Sequence, residues 1–337
     1  MPAPILHAVP NVSEGRDPAV IERVGAAFAP ARDARGRAST VRLLDVHSDP
    51  HHHRSVYTLA GPPPALADAL LEGAAEAVRS IDVVARRSAD LPERGAHPHV
   101  GAVDVVPLVY FDQRARGAAC AEALVVGDRI ASELDVPVFL YGELAVELAG
   151  RTRAELRRGG VAGLAQRLAA AEVRPDFGPA TLHPSAGATL VAAREPLVAF
   201  NLQLRAPATI DDARLVASRV REGGARGLPG VRAIAVALGG GVVQVSMNVE
   251  RPLELPLAEV VKAVDALAPV ASGELVGLAP RAALEGLPPE LPLPGFDAAR
   301  QVLENALAGI TFEGGREGGE IENATSENAE RRDALGS

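Results

Sequence analysis

The sequence predicts an α+β protein made of two βαββαβ-type (ferredoxin-like) sandwich subdomains that face a shared cleft, followed by a disordered acidic tail. Both halves of the chain show the same order of strand, helix, strand, strand, helix and strand. A crossing rich in Pro and Gly, residues 174–187, lies between the halves, and residues 313–337 carry seven acidic residues and few apolar ones. The predicted boundaries are 1–177, 178–311 and 312–337.

In the first half, Asp17 and Pro18 are a suitable N-cap and first residue for a helix that follows a short apolar strand. Apolar runs bounded by Gly, Pro, Asp and His predict the other elements. In order, these are strand 5–9, helix 19–28, strands 41–46 and 55–60, helix 63–80 and strand 101–110. The half is extended by helix 118–134, strand 136–141 and short helices near 154–158 and 161–171.

The second half repeats the architecture of the first half without visible similarity in residues. Its predicted elements are strand 197–204, helix 211–222 capped by Thr209, strand 231–238, a turn at 239–241, strand 242–249, helix 257–267 and strand 274–278. A Pro-rich linker, 287–295, leads to a last helix, 298–307. Two such units predict a cleft where their sheets approach, and ligands commonly bind in clefts of this kind.

Composition restricts the class of function. The net charge of -9 and the aromatic content of 3% argue against a nucleic-acid partner, which favours basic surfaces and stacking rings. Cys120 is the single cysteine, so an internal disulfide and a thiolate metal site are excluded, and Cys120 is expected to be inert packing in a reducing compartment. No apolar stretch approaches the length of about 18 residues that a membrane span needs. We therefore expect a soluble, cytoplasmic enzyme acting on small molecules, with no membrane partner.

Histidines give the clearest chemical signal. Six of the eight lie in two loops, residues 45–58 and 95–104. In the first loop, strand alternation would send His51 and His53 to one face of the sheet and His52 to the other. Both loops flank strands of one predicted sheet, so we expect their side chains to converge.

Three interpretations of these histidines compete. A positioned imidazole can take and return a proton near neutral pH. Alternatively, two His-x-His pairs with Asp45, Asp49 and Asp104 nearby supply nitrogen and oxygen ligands for a metal such as zinc. In the third interpretation, exposed loop histidines have no chemical role. The residue types alone leave all three open.

Several segments, taken in order along the chain, resemble the glutamate formimidoyltransferase family. They are VPNVSEG (9–15), RSVYTLAGPP (54–63), HPHVGAVDVVP (97–107), ELDVPVFLYGE (133–143), RPDFGP (174–179), LVAFNLQL (197–204), QVSMNV (244–249) and GELVGLAP (273–280). The resemblance covers about residues 4–285. It extends to the N-terminal part of the larger formimidoyltransferase-cyclodeaminases of animals and implies a monofunctional transferase.

The resemblance implies a homodimeric, metal-free enzyme that transfers a formimidoyl group from N-formimidoyl-L-glutamate to tetrahydrofolate as co-substrate, with the folate in the cleft between the subdomains. The catalytic histidine of the family falls on His97, which we expect to act as general base and then as general acid. The folate-contacting segment of the family falls on ten consecutive residues: Gly178, Pro179, Ala180, Thr181, Leu182, His183, Pro184, Ser185, Ala186 and Gly187.

The sequence departs from the family pattern at three positions, each of which carries a histidine. His47 stands where the family commonly has Asp, His53 where it has Asn, and His99 where it has Arg. With Asp45, His47 and His99 are candidate catalytic residues beside His97. The carboxylate that orients the catalytic imidazole is then expected to come from Asp45, Asp49 or Asp104.

Arg54 keeps its family position, and with His53 it is a candidate for binding substrate. Further candidates for contacts with substrate carboxylates are Arg157, Arg158, Arg174 and Arg194. The departures leave other functions open: a divergent member with another donor such as N-formylglutamate, a metal-dependent hydrolase built on the histidine cluster, or a non-catalytic folate-binding protein.

Overall fold

The structure is a computed structural model that describes residues 4–32, 36–86, 98–145, 151–308, 310–312 and 316–317. The chain forms two compact units, Met1–Arg194 and Glu195–Ser337, with mixed α+β architecture. The predicted boundary after residue 177 lies within the first unit, because residues 189–194 form an interior strand of its sheet. Apart from residues 312, 316 and 317, the predicted acidic tail lies outside the described residues.

The first unit contains a single large sheet with helices on its faces. Its elements are β1 (Leu6–Ala8), β2 (Asn11–Val12), α1 (Pro18–Phe28), β3 (Arg42–Asp49), β4 (Arg54–Gly61), α2 (Ala65–Ser80), α3 (Val83–Arg86), β5 (Val103–Val109), α4 (Arg116–Leu134), β6 (Val138–Leu140), α5 (Arg153–Leu156), α6 (Gly160–Ala169) and β7 (Thr189–Arg194). Asp17 caps α1 as the sequence predicts, since its side chain accepts the N–H groups of Ala19 and Val20.

The strands of the first sheet lie in the order β3, β4, β1 together with β2, β5, β7, β6. Pro10 separates β1 from β2, but both pair with β4 on one side and β5 on the other, so they occupy one position in the sheet. A proline lacks the N–H that a ladder hydrogen bond requires, which explains the interruption. These pairs are antiparallel, whereas β7 runs parallel to both β5 and β6.

Apolar side chains cover both faces of this sheet. On one face, α1, α2 and α4 enclose a core that includes Phe28, Tyr57 and Ile130. On the other face, α5 and α6 contribute Leu156 and Leu164 to a smaller core beside β6 and β7. Burial of this much apolar surface is the main force that holds the unit together.

The second unit has the element order predicted for the second half of the chain. Its elements are β8 (Val198–Leu204), α7 (Ile210–Val220), β9 (Val231–Ala237), β10 (Val243–Val249), α8 (Leu257–Asp265), β11 (Val270–Val276), α9 (Arg281–Leu284), α10 (Ala298–Gln301), α11 (Leu303–Leu307), β12 (Thr311–Phe312) and β13 (Arg316–Glu317). The main sheet is antiparallel in the order β11, β8, β10, β9, and β12 pairs with β13 in a separate sheet. Thr209 begins α7 with a capping box that Asp212 completes.

The structure differs from the predicted elements in several places. Strand β7 was not predicted, although its short apolar run is typical of a buried parallel strand. The last strand of the second sheet begins at Val270 rather than residue 274. The helix predicted at 298–307 is two short helices, because Val302 between them forms a β-bridge with Ala279.

Two further observations concern the limits of the described chain. Between the predicted helix 63–80 and strand 101–110, residues 83–86 form the short helix α3, and residues 87–97 lie outside the described residues. Among the helices in the described part of the chain, none combines the length and apolarity needed to cross a membrane.

Candidate active site

Backbone hydrogen bonds join the segment that follows His97 to two other segments of the first unit. The Ser13 N–H donates to the Ala102 carbonyl at 2.9 Å, and the Ser13 hydroxyl donates to the Gly101 carbonyl at 2.7 Å. On the opposite side, the Ala102 N–H donates to the Ala186 carbonyl at 2.8 Å. Hydrogen bonds therefore hold together the segment that contains Ser13, the segment that follows His97 and the predicted folate loop.

Two glycines allow this close approach of backbones. Gly101 and Gly187 form an isolated antiparallel bridge. A Cβ atom on Gly101 would overlap the Ala188 carbonyl oxygen, and one on Gly187 would overlap the Val100 carbonyl oxygen. Gly187 also has a φ of 73°, which glycine adopts at no steric cost. Larger residues at either position would separate the two segments.

The three consecutive histidines lie in the turn between β3 and β4, so the predicted alternation of their side chains is wrong. His51 is exposed, whereas both His52 and His53 are buried, and His53 has a φ of 52°. Asp49 at the end of β3 organises this turn: its carboxylate accepts the N–H groups of His51 and His52 and lies 2.7 Å from Nδ1 of His52. Alternation applies to extended strands, and a turn with a left-handed residue does not follow it.

Glu14 is a second buried carboxylate beside the histidine turn, with only 3% of its surface exposed. It accepts the N–H groups of Gly15, Arg16 and Asp17 at 2.9–3.1 Å and pairs with Nη2 of Arg86 at 2.8 Å. Burial opposes ionisation of Glu14, but these donors outweigh it and hold the pKa of Glu14 below its usual value. Glu14 is therefore a fixed negative charge at neutral pH.

His53 lies against this carboxylate. Its Nδ1 accepts the Gly15 N–H at 3.2 Å and lies 3.3 Å from Oε1 of Glu14. Burial lowers the pKa of His53 to about 4; the charge of Glu14 acts in the opposite direction, and that of Arg86 adds to the lowering. The lowered pKa makes His53 neutral at pH 7, with Nδ1 facing the Gly15 N–H and the Glu14 carboxylate.

Asp104 connects the histidine motif to the helical part of the first unit. Its carboxylate accepts the Val100 N–H at 2.7 Å and forms an ion pair with Nη2 of Arg157, at the end of α5. Both side chains are nearly inaccessible to water, with 5% and 11% of their surfaces exposed. Asp104 therefore fixes the backbone just after His99 and anchors Arg157 to it.

The two histidine loops converge, as the sequence predicts. A small pocket in the first unit is lined by residues from the first motif, the histidine turn and the second loop: Asn11, Val12, Ser13, His52, His53, Arg54, His99 and Asp104. Five potential hydrogen-bonding side chains from the two loops thus line one cavity: His52, His53, Arg54, His99 and Asp104. Such a concentration of titratable groups is typical of a catalytic or binding site.

The remaining candidate catalytic residues occupy different positions. Asp45 and His47 lie on β3, where period-two alternation gives them the same face as Asp49. Asp45 is buried and His47 is half-buried. His97 lies outside the described residues.

The predicted folate loop ends in a tight turn that His183 organises. His183 and Gly187 exchange two backbone hydrogen bonds, and Nδ1 of His183 accepts the N–H groups of Ser185 and Ala186 at 3.3 and 3.0 Å. The Ser185 carbonyl accepts the N–H of Val83 at 2.9 Å, which ties the turn to α3. The loop is therefore held in a defined shape before any ligand binds.

The arginine candidates are distributed over several environments. Arg157 is committed to Asp104, and the exposed Arg158 lies 3.4 Å from Glu155. The carbonyl of Arg174 accepts a hydrogen bond from Arg151, and Arg194 ends β7. Among the described residues, no group of three His, Cys, Asp or Glu side chains is arranged to hold a metal ion.

Comparison with known proteins identifies the family. A family model described as the formiminotransferase domain, N-terminal subdomain, matches residues 5–194, which is the first unit almost in full. The chain belongs to the formiminotransferase family. The segments that carry the resemblance in the first half, the histidine motif included, lie within this match.

Curated relatives extend the similarity over most of the chain. A glutamate formimidoyltransferase of Streptococcus pyogenes is 34% identical over 91% of this chain and 100% of its own length. A glutamate formimidoyltransferase of Thermoplasma acidophilum is 33% identical over 90% of this chain and 97% of its own length. The formimidoyltransferase-cyclodeaminase of Sus scrofa is 35% identical over 83% of this chain. The match covers 51% of that relative, so this chain spans about half its length.

Sequence reasoning missed two residues beside the candidate site. The buried Glu14 pairs with the partly exposed Arg86, and Arg86 also donates to the Ser13 carbonyl at 3.0 Å. Glu14 lies in the segment VPNVSEG (9–15), after a short strand, and this position could have indicated a site residue. Arg86 gave no such signal, because its approach to Glu14 depends on how α3 packs beside the turn at residues 183–187.

Proposed function

We propose that the chain transfers the formimidoyl group of N-formimidoyl-L-glutamate to tetrahydrofolate, giving glutamate and 5-formimidoyltetrahydrofolate. Relatives named glutamate formimidoyltransferase that align over nearly the whole chain support this activity over the alternatives. The structural observation that carries the proposal is the hydrogen bond from the Ala102 N–H to the Ala186 carbonyl. This bond joins the backbone five residues after His97 to loop 178–187. It therefore supports the proposal that a proton-transfer group lies beside a folate-binding loop.

The reaction requires one proton to move between two nitrogens. N5 of the folate attacks the formimidoyl carbon, a tetrahedral adduct forms, and the bond to the glutamate nitrogen breaks once that nitrogen is protonated. One imidazole can accept the proton from N5 and return it to the leaving nitrogen, and we assign this role to His97. Such catalysis contributes about 10²- to 10⁴-fold, and alignment of the two bound reactants supplies much of the rest.

The neighbouring residues bind and orient in this proposal. Neutral His53 offers a hydrogen-bonding imidazole in the pocket, and Arg54 supplies a permanent cation for a carboxylate of the formimidoyl donor. His99, His47 and Asp45 are the remaining candidates for contact with the reacting groups. Glu14 keeps His53 and Arg86 in place, since it contacts both.

Loop 178–187 is proposed to contact the folate. The hydrogen bonds that hold its turn lower the entropy cost of ordering the loop when the co-substrate binds. Tetrahydrofolate acts as co-substrate, and no metal is assigned a step. The expectation that none is required is tested by elemental analysis of purified protein, where about one zinc per chain would favour a hydrolase instead.

We further propose the ferredoxin-like class for both units, a homodimeric state and a cytoplasmic location. In the second unit, two helices cover one face of a sheet in the order β11, β8, β10, β9, which supports the class assignment. The homodimer follows from the resemblance of the motifs. The cytoplasmic location is supported by the single cysteine.

The decisive experiment measures turnover of purified protein with tetrahydrofolate and N-formimidoyl-L-glutamate, following the cyclised folate product after acid treatment. We expect turnover by the wild type and a loss of about 10²- to 10⁴-fold in His97→Ala. His51→Ala is the matched control, because His51 is an exposed histidine of the neighbouring loop, and its activity should equal that of the wild type.

Each part of the proposal can fail separately. Near-native turnover by His97→Ala would remove His97 from the mechanism. Wild-type protein that binds folate but uses only N-formyl-L-glutamate would show that the donor is wrong. Folate binding without turnover of either donor would indicate a non-catalytic binding protein.

A further inference from the structure

The short helix α3 is held at both ends by segments of the candidate site. At its first residue, the Val83 N–H donates to the Ser185 carbonyl at 2.9 Å, and the Val83 side chain is fully buried in the core of the first unit. At its last residue, Arg86 donates through Nη1 to the Ser13 carbonyl at 3.0 Å and through Nη2 to Glu14 at 2.8 Å. The packing of α3 therefore fixes the position of the Arg86 guanidinium.

The carboxylate of Glu14 uses its two oxygens for different partners. Oε1 accepts three backbone N–H groups and lies 3.3 Å from Nδ1 of His53, whereas Oε2 lies 2.8 Å from Nη2 of Arg86. Because both oxygens are anchored, the carboxylate is held in one orientation against the imidazole. Glu14 is also almost inaccessible to water, so its charge acts on His53 with little screening.

Arg86 lies outside the pocket that His53 lines, yet it influences His53 in two ways. It holds Glu14, and its own charge acts on the imidazole. Burial is the largest cause of the lowered pKa of His53; the charge of Glu14 opposes the lowering, and the charges of Arg86, Arg16 and His99 add to it. Further titratable or charged side chains in the described lining of the pocket are His52, Arg54 and Asp104.

We propose that Arg86 is a positioning residue for His53: it holds Glu14 against Nδ1 of the imidazole, and α3 holds Arg86 in place. A carboxylate beside an imidazole draws a proton onto the ring unless a cation balances it. Arg86 supplies that balance, so His53 remains an uncharged hydrogen-bonding group. The inference rests on the proposed function for the use of His53 in the reaction, but its main test needs no substrate.

The test follows protonation of His53 by NMR in the full chain with isotopically labelled histidine, and His53→Gln identifies the signal. Arg86→Gln should raise the pKa of His53 from about 4 towards 6.5, because the cation that adds to the effect of burial is gone. Glu14→Gln should lower it further, because the charge that favours the proton is gone. The opposite signs are diagnostic, since a loosened site would admit water and raise the pKa in both variants.

Two more variants separate charge from shape and location. Arg86→Lys keeps the positive charge without the planar fork of the guanidinium, so the pKa of His53 should stay near its wild-type value. Arg79→Gln is the matched control, because Arg79 pairs with Glu76 at 2.8 Å and its side chain is exposed at the end of α2. Its His53 titration should equal that of the wild type.

The outcomes that contradict the inference are distinct. An unchanged pKa of His53 in Arg86→Gln, or an increase in both Arg86→Gln and Glu14→Gln, overturns the positioning role. If Glu14→Gln fails to fold, the two Arg86 variants decide: an increase confined to Arg86→Gln supports the role, and equal increases overturn it. Absence of turnover by the wild type overturns the proposed function, and with it the use of His53 in that reaction, even where the titrations agree.

Discussion

His7 is a buried imidazole without a hydrogen-bonding role. It lies in β1 with 2% of its surface exposed, packs edge-on against Phe111 at 5.0 Å between ring centroids, and its Nε2 has no partner among the described residues. Burial lowers the pKa of His7 to about 4 from 6.5. The unfolded chain therefore binds a proton at His7 at higher pH than the folded chain does.

This difference predicts a loss of stability in acid. As pH falls below 6.5, protonation of His7 in the unfolded state favours unfolding, until the folded state also binds the proton near pH 4. At pH 5 the contribution lost is about 2 kcal/mol relative to pH 7.5. His7→Phe should remove that part of the pH dependence, whereas the exposed-site control His51→Gln should retain it.

Urea unfolding at the two pH values, followed by tyrosine fluorescence, measures the effect. All three tyrosines, Tyr57, Tyr110 and Tyr141, belong to the first unit, so the signal reports the unit that contains His7. Equal pH dependence in wild type and His7→Phe would show that another group causes the acid sensitivity.

The pair of Asp104 and Arg157 gives a second prediction at the scale of single residues. Asp104→Asn keeps an acceptor for the Val100 N–H but leaves Arg157 as a buried cation without a counter-charge. We expect a loss of about 3 kcal/mol in the free energy of unfolding. Adding Arg157→Met should restore part of this loss, because the uncompensated charge is then absent.

A double-mutant cycle from urea unfolding measures this coupling. Asp211→Asn is the control, since Asp211 forms a similar pair with Arg214 at 2.8 Å but both side chains are exposed. That change should stay within about 0.5 kcal/mol. A double variant no more stable than Asp104→Asn would contradict the assignment of the loss to buried charge.

At the scale of elements, the contact between α1 and α2 depends on one small residue. Gly73 lies in α2 opposite the fully buried ring of Phe28 in α1, and a Cβ atom at position 73 would overlap that ring. Gly73→Ala should destabilise the protein by about 1–3 kcal/mol, because the helices must separate or Phe28 must leave its rotamer. The gain in helix propensity, about 1 kcal/mol, offsets only part of this.

Gly117→Ala is the matched control for the helix contact. Gly117 lies in the first turn of α4, and a Cβ atom there would meet no atom within 4 Å. This substitution should be neutral or slightly stabilising. Thermal unfolding of both variants measures the difference, and equal melting temperatures would show that the packing of α1 on α2 adapts without cost.

The elements also show what a sequence can predict. Helices with a clear cap, such as α1 after Asp17 and α7 after Thr209, were predicted to within two residues. Strand β7 was missed because its residues are Ala-rich, and its strand conformation depends on pairing with distant β5 and β6. The turn itself was predicted, but the predicted facing of its histidines was wrong, because strand alternation was applied to residues that Asp49 holds in a turn.

At the scale of the whole molecule, the sequence predicted which segments form the candidate site but did not predict the contacts between their residues. The sequence indicated that the loops containing His53 and His99 converge, and both line one pocket. It did not indicate that Asp104 would form an ion pair with Arg157, or that Glu14 would lie beside His53, since these pairs join residues far apart in the chain. Spacing alone does not report which of several carboxylates reaches a given partner.

The division into two units predicts two independently folding fragments. Every residue of the cores of the first unit lies within 6–193, and every residue of the core of the second lies within 198–296. A unit that buries its own core satisfies the main requirement for folding alone. Fragments 1–194 and 195–312 should therefore each unfold cooperatively in urea.

The two fragments need different probes, because the second contains no tyrosine or tryptophan. Tyrosine fluorescence suits the first fragment, and amide chemical-shift dispersion with slow exchange in β8 and β10 suits the second. Both strands are interior to the second sheet, so their amides should exchange slowly if the unit folds alone. Collapsed, fast-exchanging amides in 195–312 would show that this unit requires the first to fold. The compact units would then be parts of one cooperative domain.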